Sequence, residues 1–412
     1  MTVVARASRR SFRGLDGLRA LGALMVLTTH VGFQSGDSLN GPLRGVLSRM
    51  DSGVAIFFVI SGFLLYRPHA VALVTGSRAP GARRYFWHRA VRILPPLWIA
   101  VLLAWLVTPA SDRAAVGDYL RHVLLVQIYS PGHEAQVLTH MWSLATEAAF
   151  YVVLPIAAWL LATRGGRHHT RASRREVGLR LALLGLTPIA GAAWMAVAAA
   201  GDHGIWGVWL PGYVGWFGLG MALSLWQAAR EGGLYGPGRA EELARHPWTV
   251  WSVAAGVYLI ATSPVAGPYD LSLATPGQAA TKNILYAAFG LLVVLPAVLT
   301  VRPQQEPEAV QALGGSLGKY LGDVSYGVFC YHLVALTLVE RLTGQVVFGG
   351  HFWLLLGLTA PLSLALASAS FYWLERPLMR RARRGDPVPP HALEPAATAT
   401  ATATATAVNA NS

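Results

Sequence analysis

Long apolar stretches, broken by short polar or glycine- and proline-rich segments, recur along almost the whole chain. Windows of roughly 17 to 25 residues, the length needed to cross about 30 Å of hydrocarbon, fall near 15–33, 50–66, 91–108, 142–162, 178–200, 205–228, 249–265, 282–301, 323–342 and 351–374. They predict an all-α polytopic membrane protein of about ten transmembrane helices, the second and seventh windows being the shortest. The windows show no internal repeat. After Pro387 the pattern ends: the chain is proline-rich, then alternates Ala and Thr between Ala396 and Ala407. Nothing there could bury a face, and 378–412 reads as a disordered cytoplasmic tail.

Composition agrees with a membrane protein. Hydrophobic residues make up 54% of the chain and charged residues 13%, about half the roughly 25% of a soluble domain. The 33 Lys and Arg outnumber the 20 Asp and Glu, an excess that could serve nucleic acid, anionic lipid or an anionic ligand. Its distribution decides. With the N-terminus inside, the cytoplasmic segments hold 26 of these cations and the opposite segments 6. The positive-inside rule then puts both termini in the cytoplasm, with 1–14 a basic cytoplasmic leader into the first span. The excess is topological, and nucleic acid is not an expected partner; the lipid bilayer is. Ser8-Arg9-Arg10-Ser11-Phe12 superficially matches a twin-arginine signal, but Asp16 and Arg19 interrupt the apolar run and no small-residue cleavage site follows. The single cysteine, Cys330, excludes a disulfide framework.

Ionisable residues within spans are costly and mark function by default. The first span holds Asp16, Arg19 and His30, the fourth Glu147, and the ninth Asp323 and His332. At ~1.5 Å per residue, His30 lies ~22 Å from the cytoplasmic face and Glu147 ~8 Å below the outer one. The two therefore share a level and could touch if their helices are neighbours. A carboxylate beside an imidazole suits a general base for a hydroxyl; a buried His–Glu bond that only joins two helices fits the spacing equally well. Asp16 and Arg19, three residues apart, can form a local ion pair or the mouth of a binding site. Arg89 and Arg92 share a helix face among Arg83, Arg84 and their neighbours, a fork suited to phosphates as well as to membrane anchoring.

Other motifs carry less. Gly314-Gly315-Ser316-Leu317-Gly318 has the G-x-S-x-G spacing but lies between two spans, without the strand and turn of a nucleophile elbow. His168-His169 has no acidic or cysteine partner at metal-ligand spacing, and no metal site is expected. Trp142 fits an interfacial anchor or a pocket wall.

Taken in order, several blocks resemble the acyltransferase-3 family of bacterial integral-membrane O-acyltransferases. They are Phe12-Arg13-Gly14-Leu15-Asp16-Gly17-Leu18-Arg19 leading to His30, the run from Gly53 to Leu64 containing Ser61-Gly62-Phe63-Leu64, and Phe86-Trp87-His88-Arg89-Ala90-Val91-Arg92-Ile93-Leu94-Pro95. Trp142-Ser143-Leu144-Ala145-Thr146-Glu147, Ser325-Tyr326-Gly327 with His332, and Glu375-Arg376-Pro377 complete the set. The resemblance covers residues 12 to 377 and implies a transmembrane acyltransferase domain over 15–377 in the bacterial inner (plasma) membrane. It implies an acyl coenzyme A co-substrate, no permanently bound cofactor, and a hydroxylated acceptor: a sugar, a cell-envelope glycan or a natural product. It makes His30 and Glu147 the essential pair and associates Arg89 and Arg92 with the donor. Ala148-Ala149 departs from the acidic residue and Gln of many members, so acceptor preference is not carried over. With no extracytoplasmic hydrolase-like domain, the chain looks more like stand-alone members, some of which acylate macrolides.

The expectation is transfer of an acetyl or other short acyl group from acyl coenzyme A. Arg89 and Arg92 hold the phosphates with help from Arg19 and Arg13, His30 oriented by Glu147 deprotonates the hydroxyl, and Ser143 polarises the carbonyl. Asp16, Ser61, Trp142, Tyr326, His332 and Arg376 support the site, and an acyl-histidine relay stays open. A proton-coupled transporter is the alternative, since intramembrane charge also marks permeation paths.

Overall fold

The computed structural model describes residues 12–384 apart from 134, 163–170, 202–203, 237, 270–271 and 300–305. Ser8 to Ser11, His168-His169 and the tail beyond Arg384 lie outside the described residues.

A long helix stands at each of the ten predicted windows. In chain order these are α1 (Gly14–Ser35), α2 (Gly53–Thr75), α3 (Ala82–Val107), α4 (Trp142–Ala162), α5 (Arg174–Ala200), α6 (Leu210–Glu231), α7 (Pro247–Ala261), α8 (Pro276–Leu299), α9 (Ser316–Thr343) and α10 (Phe352–Ser370). A π-turn, Phe371–Glu375, then leads into α11 (Arg376–Arg384). Among the described residues 8 helices are long and apolar enough to cross a membrane. α7, at 15 residues, is a shorter apolar helix. α1 is long enough at 22 residues, but Asp16 and Arg19 dilute it. The ordered chain also runs past the expected boundary at 377, because α11 continues to Arg384.

Two departures from the predicted windows matter for the site. α3 starts at Ala82 rather than 91, so Arg83, Arg84 and Arg89 are part of the helix. α4 is preceded by a 3₁₀ helix, Gln136–Met141, that continues the same span outward.

Small residues bring the helices together. Without a hydrophobic force between helices in lipid, association relies on close backbone approach and on polar contacts. A Cβ added to Gly62 would come within 2.1 Å of the Phe217 carbonyl oxygen, and one added to Gly220 within 2.1 Å of the Val59 carbonyl, so α2 and α6 meet backbone to backbone. On the other side of α1, Gly322 of α9 leaves no room beyond Asp16. α1 is thereby held between α2 and α9. Proline inside α2, α3, α4, α5, α8 and α10 is tolerated where neighbouring side chains supply polar partners. Beside Pro95-Pro96, the Tyr326 hydroxyl donates to the Ile93 carbonyl at 2.8 Å and the Tyr331 hydroxyl to the Pro96 carbonyl at 3.3 Å.

The start of α1 packs on the segment entering α9, with Arg13 against Gly314 and Gly14 against Val310. Met379 and Ala382 of α11 share a cavity with Arg84 and Arg92 of α3. The starts of α1, α3 and α9 and the helix α11 therefore lie at one end of the bundle, the arginine-rich end.

Candidate active site

At the arginine-rich end a cavity of about 390 Å³ opens between α2, α3 and α11, with Arg84, His88, Arg89 and Arg92 in its wall. Elsewhere in the protein the buried arginines are satisfied. Arg67 bonds Glu231 at 2.7 Å, Arg49 the carbonyls of Ala261 and Pro268 at 3.1 Å each, Arg180 the Glu176 carbonyl at 2.8 Å, and Arg230 the Glu241 carboxylate at 2.7 Å. Arg89 and Arg92 are half-buried and have no hydrogen bond or ion pair within the described residues. Two adjacent guanidiniums in a recess, with no partner among the described residues, carry the charge and the donors that anions take.

Inward from this cavity, Arg19 pairs with Asp16 at 3.5 Å, both side chains only partly covered. Arg19 lies within electrostatic reach of Arg92, Arg89 and Glu147 as well. Glu147 accepts a short hydrogen bond from Ser61 of α2. It lines a small cavity, about 40 Å³, together with Ser143, Tyr326 and Phe329.

Farther out stand three imidazoles from three segments. His332 Nε2 lies 3.3 Å from His30 Nδ1, and the His140 ring is 4.5 Å from that of His332 and 6.1 Å from that of His30, centroid to centroid. Their neighbours assign the protons. His30 Nδ1 is 2.7 Å from the Val26 carbonyl and His332 Nδ1 2.7 Å from the Phe329 carbonyl. A carbonyl only accepts, so in the neutral rings each Nδ1 carries the hydrogen. The lone pair on His332 Nε2 then faces the same His30 N–H, and His30 Nε2 is left as a base.

The structure gives His30 and Glu147 different partners. His30 takes its partners from His332 and His140, while Glu147 takes Ser61 and lies nearer the arginines. Because the span begins at Gln136, Glu147 is about 16–20 Å inside it rather than ~8 Å, and the residue at His30's level on this segment is His140. Sequence reading missed His140 because it fell just ahead of the 142–162 window; its place two residues before Trp142 was the available signal.

The remaining candidates separate. Ser143 Oγ donates to the His140 carbonyl at 3.1 Å and Tyr326 to Ile93, so both hydroxyls are engaged. Trp142 packs on Tyr213, 5.2 Å between rings. Arg13 is exposed at the mouth of the arginine-rich end, and Arg376 is exposed over the Tyr372 ring, 5.7 Å to its centroid. Glu375, in the π-turn, is buried and accepts from Ser370 at 3.0 Å. At the opposite end a second cavity, about 280 Å³, is lined by Thr29, Arg49, Tyr269 and Lys282. There Lys282 pairs with Asp51 at 2.8 Å, and Asp51 is within electrostatic reach of His30.

A bundle of membrane-spanning helices with a buried imidazole cluster and an arginine-lined recess places this protein among polytopic membrane proteins with polar chemistry in their interior. Residues 12–372 match the acyltransferase-3 family, whose model is described as an acyltransferase domain. The chain belongs to that family: it is a multi-pass membrane acyltransferase transferring groups other than amino-acyl groups, which sets the transporter alternative aside. It is similar to Nodulation protein 10 of Rhizobium leguminosarum bv. viciae, 26% identical over 399 residues covering 89% of this chain and 92% of that protein. It is 27% identical to the exopolysaccharide production protein ExoZ of Rhizobium meliloti (strain 1021) over 353 residues, 81% and 90% of the two chains. The acyltransferase MdmB of Streptomyces mycarofaciens is 28% identical over 156 residues, 34% of this chain and 38% of that one. No solved structure matches.

Proposed function

We propose that this enzyme is an O-acyltransferase of the bacterial inner membrane that moves an acetyl or other short acyl group from acyl coenzyme A to a hydroxyl of a sugar, cell-envelope glycan or macrolide-like acceptor. The observation that carries this reading is the Arg89–Arg92 fork in its cavity, without a partner among the described residues, with Arg19 inward of it and His30 about three further turns along the same helix. A donor with a phosphate-bearing head and a long arm ending in a thioester fits that layout: phosphates on the fork, thioester beside His30.

His30 Nε2 takes the proton of the acceptor hydroxyl as the oxygen attacks the thioester carbonyl. The C–O bond forms, the C–S bond breaks, and the departing thiolate recovers the proton from His30. His332 and the Val26 carbonyl hold the tautomer that this requires. Glu147, between the arginines and the histidines, serves the donor's arm as an acceptor for its amide hydrogens. The acceptor enters from the opposite end, through the polar cavity lined by Thr29 and Tyr269, so the acyl group crosses the membrane. The name of ExoZ, an exopolysaccharide production protein, is in keeping with a glycan acceptor.

The test is release of free coenzyme A by the purified protein from acetyl and longer acyl donors with sugar or macrolide acceptors. Wild type turns over and His30→Ala, folded and still binding coenzyme A, does not. Equal turnover by both removes His30 from the chemistry.

A further inference from the structure

We propose that His140 donates the hydrogen bond that holds the acyl carbonyl oxygen during transfer, which makes it a catalytic residue of the reaction proposed above; the inference rests on that reading. His140 is 2% exposed, and neither of its ring nitrogens has a hydrogen-bond partner. The Cys330 carbonyl is close to it but without hydrogen-bonding geometry. A neutral imidazole offers one N–H and one lone pair, and burying both unused is a cost that a purely structural histidine leaves uncompensated.

The surroundings say where that capacity is directed. The ring stands edge-on to those of His332 and His30, 64° and 75° between planes. It also meets Phe329, 5.2 Å between centroids, which forms a wall of the cavity holding Glu147. His140 thus lies between the base and the cavity that holds Glu147. The segment is anchored: Ser143 Oγ holds the His140 carbonyl at 3.1 Å and Gln127 Nε2 the Met141 carbonyl at 3.1 Å. Nearby donors are already spent, Ser61 on Glu147, Ser143 on His140, Tyr326 on Ile93, and the Nδ1–H groups of His30 and His332 on backbone carbonyls.

As the acceptor oxygen adds to the thioester carbonyl, that carbonyl's π pair moves onto its oxygen. A fixed N–H in a site of low dielectric stabilises the charge, and the pair returns when the C–S bond breaks. His140 stays neutral throughout and transfers no proton.

Wild type, His30→Ala and the variants His140→Ala, His140→Phe and His140→Gln, purified as full chains, are compared for coenzyme A binding and for kcat and KM of coenzyme A release. His140→Ala and His140→Phe should bind coenzyme A normally and lose roughly 10²–10³-fold in kcat, with the donor KM changed much less. His140→Gln, which keeps an N–H, should retain at least about tenfold more kcat than His140→Phe. The proposal is overturned if His140→Phe turns over within a few-fold of wild type, if Phe serves as well as Gln, or if the variants lose coenzyme A binding along with activity. An active wild type with an inactive His30→Ala and undiminished His140 variants defeats this inference alone; an inactive wild type defeats the reading beneath it.

Discussion

His332 Nε2 faces His30 Nδ1 across 3.3 Å, and the hydrogen between them belongs to His30, because the other nitrogen of His332 is committed to the Phe329 carbonyl. A neutral imidazole here does what a carboxylate does beside many catalytic histidines: it fixes the tautomer and leaves the far nitrogen free. It does so without placing a second charge in the membrane, where an unpaired carboxylate would be expensive. Replacing His332 with Ala is therefore expected to lower kcat by about 10²-fold, within the range of a general base that has lost its orientation, while donor binding persists. Single-turnover rates at saturating acyl coenzyme A measure this. An unchanged rate would mean that the Val26 carbonyl alone sets the tautomer.

Arg89→Ala and Arg92→Ala should each weaken coenzyme A binding roughly 10- to 100-fold, from a charge-assisted bond worth about 1.5–3 kcal/mol. Lysine should restore part of the loss, since it supplies the charge without the fork. Calorimetric titration in detergent or nanodiscs reads the effect directly. Because neither arginine has a partner among the described residues, their removal is expected to leave thermal stability nearly unchanged; a large stability loss with normal affinity would make them structural.

The backbone contact between α2 and α6 gives a prediction independent of chemistry. Gly62→Ala puts a methyl group where the Phe217 carbonyl oxygen lies 2.1 Å away, so the helices must part. Overpacking of this kind costs about 1–3 kcal/mol, seen as a lower melting temperature. Gly256→Ala, where an added Cβ meets nothing within 4 Å, is the control and should melt near wild type.

Acceptor entry from the outer end predicts that Tyr269→Ala raises the acceptor KM several-fold, by loss of an aromatic surface worth about 0.5–1.5 kcal/mol, and leaves coenzyme A affinity alone. If the KM for the donor moves instead, the assignment of the two ends is reversed.

Much of this protein was legible in its sequence because the governing physics is local. A run of apolar residues either spans hydrocarbon or does not, so the spans followed from length and hydropathy, while the imbalance of Lys and Arg supplies an expected direction. Arg89 and Arg92 were visible as a fork because three residues bring side chains to one helix face. What the sequence could not determine was which helices are neighbours and where each span truly begins. The Gln136–Met141 segment interleaves Val, Leu and Met with Gln, Thr and His, too mixed to read as part of a span, yet as a 3₁₀ helix it lengthens the fourth span and carries Glu147 inward, setting His140 beside His30. The pairing of His30 with His332 likewise depends on α1 lying against α9, which the missing side chain of Gly322 permits and no periodicity announces. Span and polarity are properties of a segment; the site is a property of the packing between segments.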